Sequence, residues 1–256
     1  MSATSRYARD EGIIVKRIEF GEMDFILTLF TRRRGKFQAI AKGARKLGNR
    51  FGAALDLFNF CEFFFYTASG MTNLVQAKIQ HSFRNLFGER GTWISGEYLL
   101  YILDKVFEFE KPEEPVLEEL LDLWQAMLRL QGTDTRCYLL TLRFRVMLLR
   151  FSGIVPRLTV CARCGKSFGR EESFLVLSEG GRICRFCNQE KDDTLFLSPL
   201  SGKVLEYLFR SSLDETLKLH LTMEQFQDVD ALLSLYLSHH LEKKVLPLWH
   251  FLRWVT

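Results

Sequence analysis

The first eighty residues alternate short apolar runs with polar or glycine-containing breaks. Runs rich in Ile, Val, Leu and Phe, bounded by such breaks, are typical of β-strands. The pattern predicts five strands, at residues 12–20, 25–31, 36–42, 61–67 and 73–80. Five short strands in one segment favour a small closed barrel, because closure leaves no strand edge unpaired. An OB-type barrel is the natural candidate, and an SH3-like barrel fits the same pattern nearly as well.

From Trp93 onward the apolar residues recur every three or four positions, which indicates helices. The predicted helices lie at about residues 93–107, 115–128, 135–152, 198–210 and 222–244. Pro115 suits the first turn of the second helix, and Thr222 with Gln225 has the form of a capping box at the start of the last. The pattern therefore predicts a barrel followed by a helical region.

Two Cys-x-x-Cys pairs interrupt the helical region. Nineteen residues separate the pair Cys161/Cys164 from the pair Cys184/Cys187. This spacing is the usual signature of a four-thiolate zinc site, in which a short hairpin, here with its first strand at residues 174–177, brings two ligand pairs together. Four thiolates leave no open coordination position for water, so the predicted ion is structural rather than catalytic. We predict one Zn²⁺ per chain, held by these four cysteines.

Two other interpretations of the cysteines remain open. Disulfides require an oxidising compartment, but the first thirty residues contain no apolar core of an export signal. A thioredoxin-type redox pair is disfavoured because neither pair opens a helix within a strand–helix–strand unit. Cys61 and Cys137 lie in apolar runs and are expected to be buried free thiols. Basic residues crowd the motif, either to balance the charge of the cluster or to contact nucleic acid: Arg157, Arg163, Lys166, Arg170, Arg182 and Arg185.

The bulk composition is that of an ordinary globular protein. Hydrophobic residues make up 47% of the 256 residues and charged residues 26%. No apolar run approaches the length of a membrane span. Since no export signal is present either, we expect a cytoplasmic protein without a membrane partner.

The positive charge is concentrated in the first third of the chain. Residues 1–80 contain thirteen Lys and Arg against seven Asp and Glu, whereas the remaining residues carry no positive excess. Eight cations lie between residues 25 and 55, where there is no acid: Arg32, Arg33, Arg34, Lys36, Lys42, Arg45, Lys46 and Arg50. A patch of one sign is the electrostatic footprint of a polyanion partner, so these residues are predicted to contact nucleic-acid phosphates. Solubility alone is the open alternative.

The sequence contains no recognisable catalytic motif. A phosphate-binding loop, a Gly-x-Gly-x-x-Gly fingerprint, a Gly-x-Ser-x-Gly elbow and a His-Glu-x-x-His motif are all absent. His239 and His240 lie near the end of a predicted helix, where a cation is favourable. Glu22 and Asp24 are explained by a polar turn between strands. We therefore predict that the chain is not an enzyme.

Several segments of the chain match the pattern of one protein family. They are residues 11–15, 21–31, 35–36, 41–45, 50–55, 161–165, 181–184, 236–241 and 251–252. On these segments the chain resembles RecO, a family of bacterial DNA-repair and recombination mediators, over its entire length. Some members of that family lack part of the cysteine set, whereas this chain keeps all four.

The resemblance implies a multidomain α+β fold. It consists of an N-terminal OB-fold domain at residues 1–80, an α-helical domain at 81–156 and 191–256, and a four-cysteine zinc ribbon inserted at 157–190. The ribbon is expected to clamp the helical halves. RecO-like proteins are cytoplasmic and nucleoid-associated.

The resemblance also implies the partners. RecO-like proteins bind single- and double-stranded DNA, anneal complementary strands and, with RecR, help load RecA on strands coated by the single-stranded-DNA-binding protein (SSB). They also bind the acidic C-terminal tail of SSB. One alternative is a helical protein-interaction scaffold that grips such an acidic peptide, with DNA contact secondary. A nuclease with an unrecognised site is a weaker third hypothesis.

Overall fold

The computed structural model describes residues 7–68, 70–130, 136–169, 171–189 and 193–253. The chain divides into two compact units, Met1–Thr133 and Asp134–Thr256. Two positions that entered the predictions, Thr135 at the start of a predicted helix and Arg170 near the cysteines, lie outside the described residues.

Five strands form a closed barrel in the first unit. They are β1 (Tyr7–Phe20), β2 (Asp24–Thr31), β3 (Gly35–Ala41), β4 (Asn59–Ala68) and β5 (Met71–Ser82). Their order around the barrel is β1-β2-β3-β5-β4, and β4 pairs with β1 to close it. Neighbouring strands are antiparallel except for β3 and β5, which run parallel with Ile40 opposite Asn73. All five predicted strands are present, and each observed strand begins one to five residues earlier than predicted.

The barrel interior is filled by the apolar residues of the alternating pattern. Phe37 and Ala39 of β3 point into the core beside Phe65 of β4, whereas Gln38 between them is exposed. The rings of Phe37 and Phe65 meet edge to face, with their centroids 5.1 Å apart. Cys61 is fully buried in the same core, and burial raises the pKa of its thiol to about 12. It is a free thiol, as predicted.

Two helices complete the first unit, α1 (Arg90–Val106) and α2 (Glu114–Arg129). Trp124 of α2 is fully buried and packs its ring on Phe58, which precedes β4, and on Phe83, which follows β5. These contacts place α1 and α2 in the same compact unit as the barrel. The compact units and the predicted domain boundaries therefore differ, since residue 80 was predicted to end the first domain.

The second unit contains helices and a small sheet. The helices are α3 (Arg136–Phe151), α4 (Pro199–Leu208), α5 (Leu213–Thr216), α6 (Met223–Leu241) and α7 (Leu248–Arg253). The strands are β6 (Ser173–Val176), β7 (Gly181–Cys184) and β8 (Thr194–Leu197), in the order β7-β6-β8. Three of these elements, β8, α5 and α7, were not predicted from the sequence. The α6 helix starts at the predicted capping box and ends before Glu242, whose left-handed backbone stops it short of residue 244.

A buried ion pair joins the helices of the second unit. The guanidinium of Arg145 on α3 contacts the carboxylate of Asp230 on α6, and neither side chain is exposed. Arg145 also donates to the Ser234 hydroxyl at 2.7 Å, and Asp230 accepts the backbone N–H of Trp249 at 3.0 Å. Because these hydrogen bonds satisfy both charges, the pair can be buried, and removing either partner would leave an uncompensated charge.

Candidate nucleic-acid surface and metal site

The eight predicted cations do not form one patch. Arg32, Arg33, Arg34 and Lys36 lie in the β2–β3 turn and the start of β3, and we call them the turn cluster. Lys42, Arg45, Lys46 and Arg50 lie in the loop that follows β3, and we call them the loop cluster. The strand β3 has seven residues, so the clusters are about 20 Å apart along it. The expectation of a single patch is corrected accordingly.

Two arginines of the turn cluster form ion pairs with carboxylates of the first unit. The guanidinium of Arg32 lies 3.3 Å from Glu11 and 2.9 Å from Glu114, and it also contacts Glu118. Burial works against the charge of Arg32, but the hydrogen bonds and charges of Glu114 and Glu118 outweigh it and raise its pKa. The guanidinium of Arg34 lies 3.8 Å from Glu110. These two arginines therefore serve first as partners of acids within the first unit.

Lys36 is also corrected, because it is not placed to contact a phosphate. The residue is only 4% exposed, and its ammonium donates to the backbone carbonyl of Asp104 at 2.6 Å. The segment between α1 and α2 crosses β3 here, and the backbone N–H of Glu110 donates to the Lys36 carbonyl at 2.7 Å. The crossing is so close that a Cβ at Gly35 would lie 1.8 Å from the carbonyl oxygen of Lys111. Lys36 is thus covered by a segment that comes much later in the chain.

Arg33 is the exposed member of the turn cluster. Its backbone N–H donates to the carboxylate of Asp10 at 3.2 Å, which fixes the turn while the side chain points to solvent. Across the residues that the structure describes, no carboxylate pairs with its guanidinium.

The loop cluster is more open. Arg45 pairs with Glu19 at 2.8 Å and donates to the backbone carbonyl of Glu22 at 3.1 Å, so it braces the loop against the β1–β2 turn. Lys42 and Lys46 are exposed and have no ion-pair partner within the described part of the chain. Arg50 is exposed as well, and its guanidinium lies over the ring of Phe51 at 4.8 Å.

A groove lies along β3 of the barrel, with a volume of about 530 Å³. Arg34 of the turn cluster lines it, whereas none of the loop-cluster residues is part of its lining. Phe20, Met71 and Phe109 line it with exposed fractions of 48%, 50% and 52%. Large apolar side chains exposed together mark binding surfaces on soluble proteins. Phe37 also borders the groove but is a core residue, because only 2% of it is exposed.

The four predicted cysteine ligands lie together in the second unit. The sulfur atoms of Cys161, Cys164, Cys184 and Cys187 are all within 4.8 Å of one another, and the sulfurs of Cys164 and Cys184 are 3.9 Å apart. Bonds of about 2.3 Å to a tetrahedral ion would place the sulfurs about 3.8 Å apart, so the donor set fits a metal ion. The sulfur of Cys161 accepts from the Cys184 backbone N–H at 3.5 Å, which links the first cysteine pair to the second.

The thiols of this cluster have pKa values shifted in opposite directions. Burial favours the neutral thiol of Cys161, but backbone N–H groups of Cys164, Cys184 and Arg163 lower its pKa to about 6. Hydrogen bonds from Cys184 and Cys164, with burial, raise the pKa of Cys187 to about 12. A metal ion binds cysteine as the thiolate, so its binding would displace the proton of Cys187.

The cations near the cysteines differ in their surroundings. Arg163 pairs with Glu179, and Lys166 pairs with Glu171 at 3.1 Å. Arg182 is buried, with its guanidinium 3.8 Å from the centroid of the Phe168 ring. Arg157 and Arg185 are exposed. The prediction that these cations balance the charge of the cluster stays a prediction.

One groove in the second unit was not predicted. Its volume is about 290 Å³, and it lies where α3 and α6 begin. Leu219, Met223 and Phe226 supply apolar surface, while Arg136 and His220 supply basic groups. The only sequence signal was the capping box at Thr222, which marks the start of α6 but does not show what lies beside it.

Comparison with known proteins identifies the class and the family. A model of the N-terminal region of recombination protein O matches residues 1–83, and a model of its C-terminal region matches residues 89–247. These matches place the chain among proteins of DNA recombination and repair. The chain belongs to the RecO family. The family is one of DNA-repair proteins, and the descriptions of its two models name no catalytic activity.

Curated relatives agree over almost the entire chain. The DNA repair protein RecO of Anaeromyxobacter dehalogenans is 30% identical over 240 residues, which covers 91% of each protein. That of Alkaliphilus metalliredigens is 27% identical over 236 residues, covering 92% of this chain and 94% of the relative. That of Caldicellulosiruptor saccharolyticus is 25% identical over 250 residues, covering 97% and 100%.

Among the helices of the described residues, none is both long enough and apolar enough to cross a bilayer.

Proposed function

We propose that this protein is a recombination mediator that binds single- and double-stranded DNA at the outside of its barrel and anneals complementary strands. With RecR as partner it helps load RecA on SSB-coated single strands, in the cytoplasm at the nucleoid. The observation that carries the proposal is the apolar groove along β3, a strand that has exposed cations beyond each of its two ends. Membership of the RecO family supports the same assignment.

The barrel is proposed to be of the OB type, with β2 and β3 facing the strand. A closed barrel of five strands in the order β1-β2-β3-β5-β4 supports this type. Phosphates would contact Arg33 at one end and Lys42 and Lys46 at the other. Bases would then lie on the apolar floor between them, where aromatic rings such as Phe20 and Phe109 are exposed.

Charge neutralisation explains how such a surface promotes annealing. Two complementary strands repel each other through their phosphates, and cations that contact both reduce that repulsion. Each neutralised phosphate releases counterions, so the logarithm of affinity should fall by about 0.7 per phosphate per unit of log salt for single strands. The cations that can do this are the exposed ones, whereas Arg32 and Lys36 already have partners within the protein.

Reversal of the exposed charges tests the proposal. The variant R33E/K42E/K46E is expected to lose at least tenfold in affinity for a fluorescein-labelled oligonucleotide, and its salt slope should fall by about 2 for three lost contacts. The matched control is R90E/K105E/R129E, which changes the same net charge at three exposed positions on α1 and α2 of the first unit. Equal losses in both variants would reduce the effect to net charge, and no loss in the first would refute the proposed surface.

The metal is proposed to be one structural Zn²⁺ held by Cys161, Cys164, Cys184 and Cys187. Four thiolates in a closed set are the donors typical of structural zinc. When bound, the ion joins the turn before β6 to the end of β7, so it fixes the ribbon. This role is structural because all four positions are filled by the chain.

A protein partner is proposed to dock in the groove where α3 and α6 begin. Apolar walls beside Arg136 and His220 suit an acidic peptide with apolar side chains, such as the C-terminal tail of SSB. The variant R136A/H220A should weaken binding of a labelled tail peptide severalfold and leave oligonucleotide affinity unchanged, with K203A as an exposed control. Were DNA binding to fall together with peptide binding, the two ligands would share one site.

A further inference from the structure

The turn that carries the second cysteine pair presents an aromatic ring to solvent. Residues Arg185–Cys187 form a short 3-10 turn directly after β7. Phe186 at its centre is 79% exposed, and of the large apolar side chains in the described ranges only that of Leu47 is more exposed. Neither the metal site nor the proposed barrel surface accounts for this ring.

The turn is fixed at both of its ends. Cys184 is 3% exposed and belongs to the small core that holds Val176 and Ile183, and Cys187 is a member of the sulfur cluster. The guanidinium of Arg163 donates to the Cys187 carbonyl at 2.6 Å. A ring held on a rigid base needs little ordering when a ligand stacks on it, so more of the contact energy appears as affinity.

The surroundings of the ring favour a nucleic-acid base over an apolar protein groove. The guanidinium of Arg185 lies 5.7 Å from the centroid of the Phe186 ring. Arg163 and Lys166, beside the first cysteine pair, have acidic partners, but within the described ranges no carboxylate pairs with Arg185. One ring beside one available cation offers a stacking face and a phosphate contact, whereas protein hot spots need a contiguous apolar patch.

We propose that Phe186 and Arg185 form a second contact for single-stranded nucleic acid, in which a base stacks on the ring and the guanidinium pairs with a phosphate. The proposal rests on the proposed function, because it takes DNA as the ligand. It adds a contact in the second unit to the surface on the barrel of the first. Annealing requires two strands to be held, and a second contact provides for the other strand within one chain.

The test uses the full-length, zinc-loaded protein. F186A is expected to weaken binding of a labelled oligo-dT by about tenfold, the effect of losing one stacked base, and to slow annealing of complementary oligonucleotides. F186W should keep the affinity, whereas F186L should lose it as F186A does. The matched control is F196A, since Phe196 on β8, in the sheet that the turn follows, is 52% exposed but packs on Phe174. Ultraviolet cross-linking of the wild-type complex should attach the oligonucleotide to the peptide containing residue 186.

The outcomes separate this inference from the proposed function. Unchanged affinity and no cross-link for F186A, with a large loss in R33E/K42E/K46E, would overturn the Phe186 contact and leave the barrel surface standing. A loss of affinity in F186A with none in R33E/K42E/K46E would support the Phe186 contact and overturn the proposed barrel surface. If F186L binds oligo-dT as the wild type does, the contact is not stacking and the inference is wrong. Zinc content and melting temperature of F186A should equal those of the wild type, because the side chain packs on nothing in the core.

Discussion

The cysteine ribbon and the basic barrel were both predicted from sequence patterns, but they differ in how well the pattern predicted the arrangement of side chains in space. In the ribbon, the spacing of Cys161, Cys164, Cys184 and Cys187 was sufficient, and the four sulfurs lie together. In the barrel, a run of eight cations was separated into two clusters, and carboxylates from other parts of the first unit took up half of them. The spacing of a ligand motif is local and predicts which side chains meet. A run of cations does not predict which acids from distant parts of the chain will pair with it.

Removal of a cysteine ligand should give the largest effect. Cys161→Ser is expected to lose the bound zinc and on the order of 5 kcal/mol of unfolding free energy of the second unit, because metal binding and folding of the ribbon are linked. Zinc released to a chromogenic chelator and the thermal unfolding curve measure the two changes. Cys137→Ala, which removes a buried thiol outside the cluster, should keep one zinc per chain. A C161S protein with full zinc content and the wild-type melting temperature would show that the spacing does not define a metal site.

Two lysines at the opposite ends of β3 sharpen the contrast within the barrel. Lys36→Ala should lower the unfolding free energy by about 2 kcal/mol, because it opens a cavity and leaves the Asp104 carbonyl without its donor. Its affinity for single-stranded DNA should stay within twofold of the wild type. Lys42→Ala should do the opposite, with severalfold weaker DNA binding and an unchanged melting temperature.

Denaturant titration measures the unfolding free energy of both variants, and fluorescence anisotropy measures their affinity for DNA. Lys36→Met is the matched control, since it keeps the aliphatic stem that packs in the crossing. If Lys36→Ala weakened DNA binding without any loss of stability, Lys36 would be a phosphate contact after all.

The smallest effect concerns Arg32. Arg32→Ala leaves Glu11, Glu114 and Glu118 facing one another, and the loss should be about 1 kcal/mol at low salt. Because salt screens repulsion between partly exposed carboxylates, the loss should shrink as sodium chloride is raised. Arg33→Ala serves as control and should not change stability. Urea unfolding at two salt concentrations measures both variants, and an Arg32→Ala protein as stable as the wild type would mean that the three acids do not need this partner.

The strands of the barrel could be predicted from the sequence, but the contacts of the candidate-site residues could not. The start of each of the five strands was predicted to within five residues, because alternation of apolar and polar residues is a local property. Arg32, by contrast, meets Glu114 across 82 positions of sequence, and Arg145 meets Asp230 across 85. Nothing in the run of arginines distinguishes Arg33, which stays exposed, from Arg32, which does not. The α1–α2 segment that covers Lys36 was predicted as a break between helices, and its path over β3 was not predictable.

The sequence by itself determined the five barrel strands, the longer helices and the grouping of the four cysteines of this protein. Strand alternation, helical periodicity and the Cys-x-x-Cys spacing are local patterns of a few residues, so they can be recognised in the sequence without knowledge of the fold. Only the tertiary structure decided which cations remain available to a phosphate, that an apolar groove lies along β3, and that Phe186 is left in solvent. These properties depend on which distant side chains and segments come into contact, and burial and charge pairing are set by those contacts rather than by position along the chain.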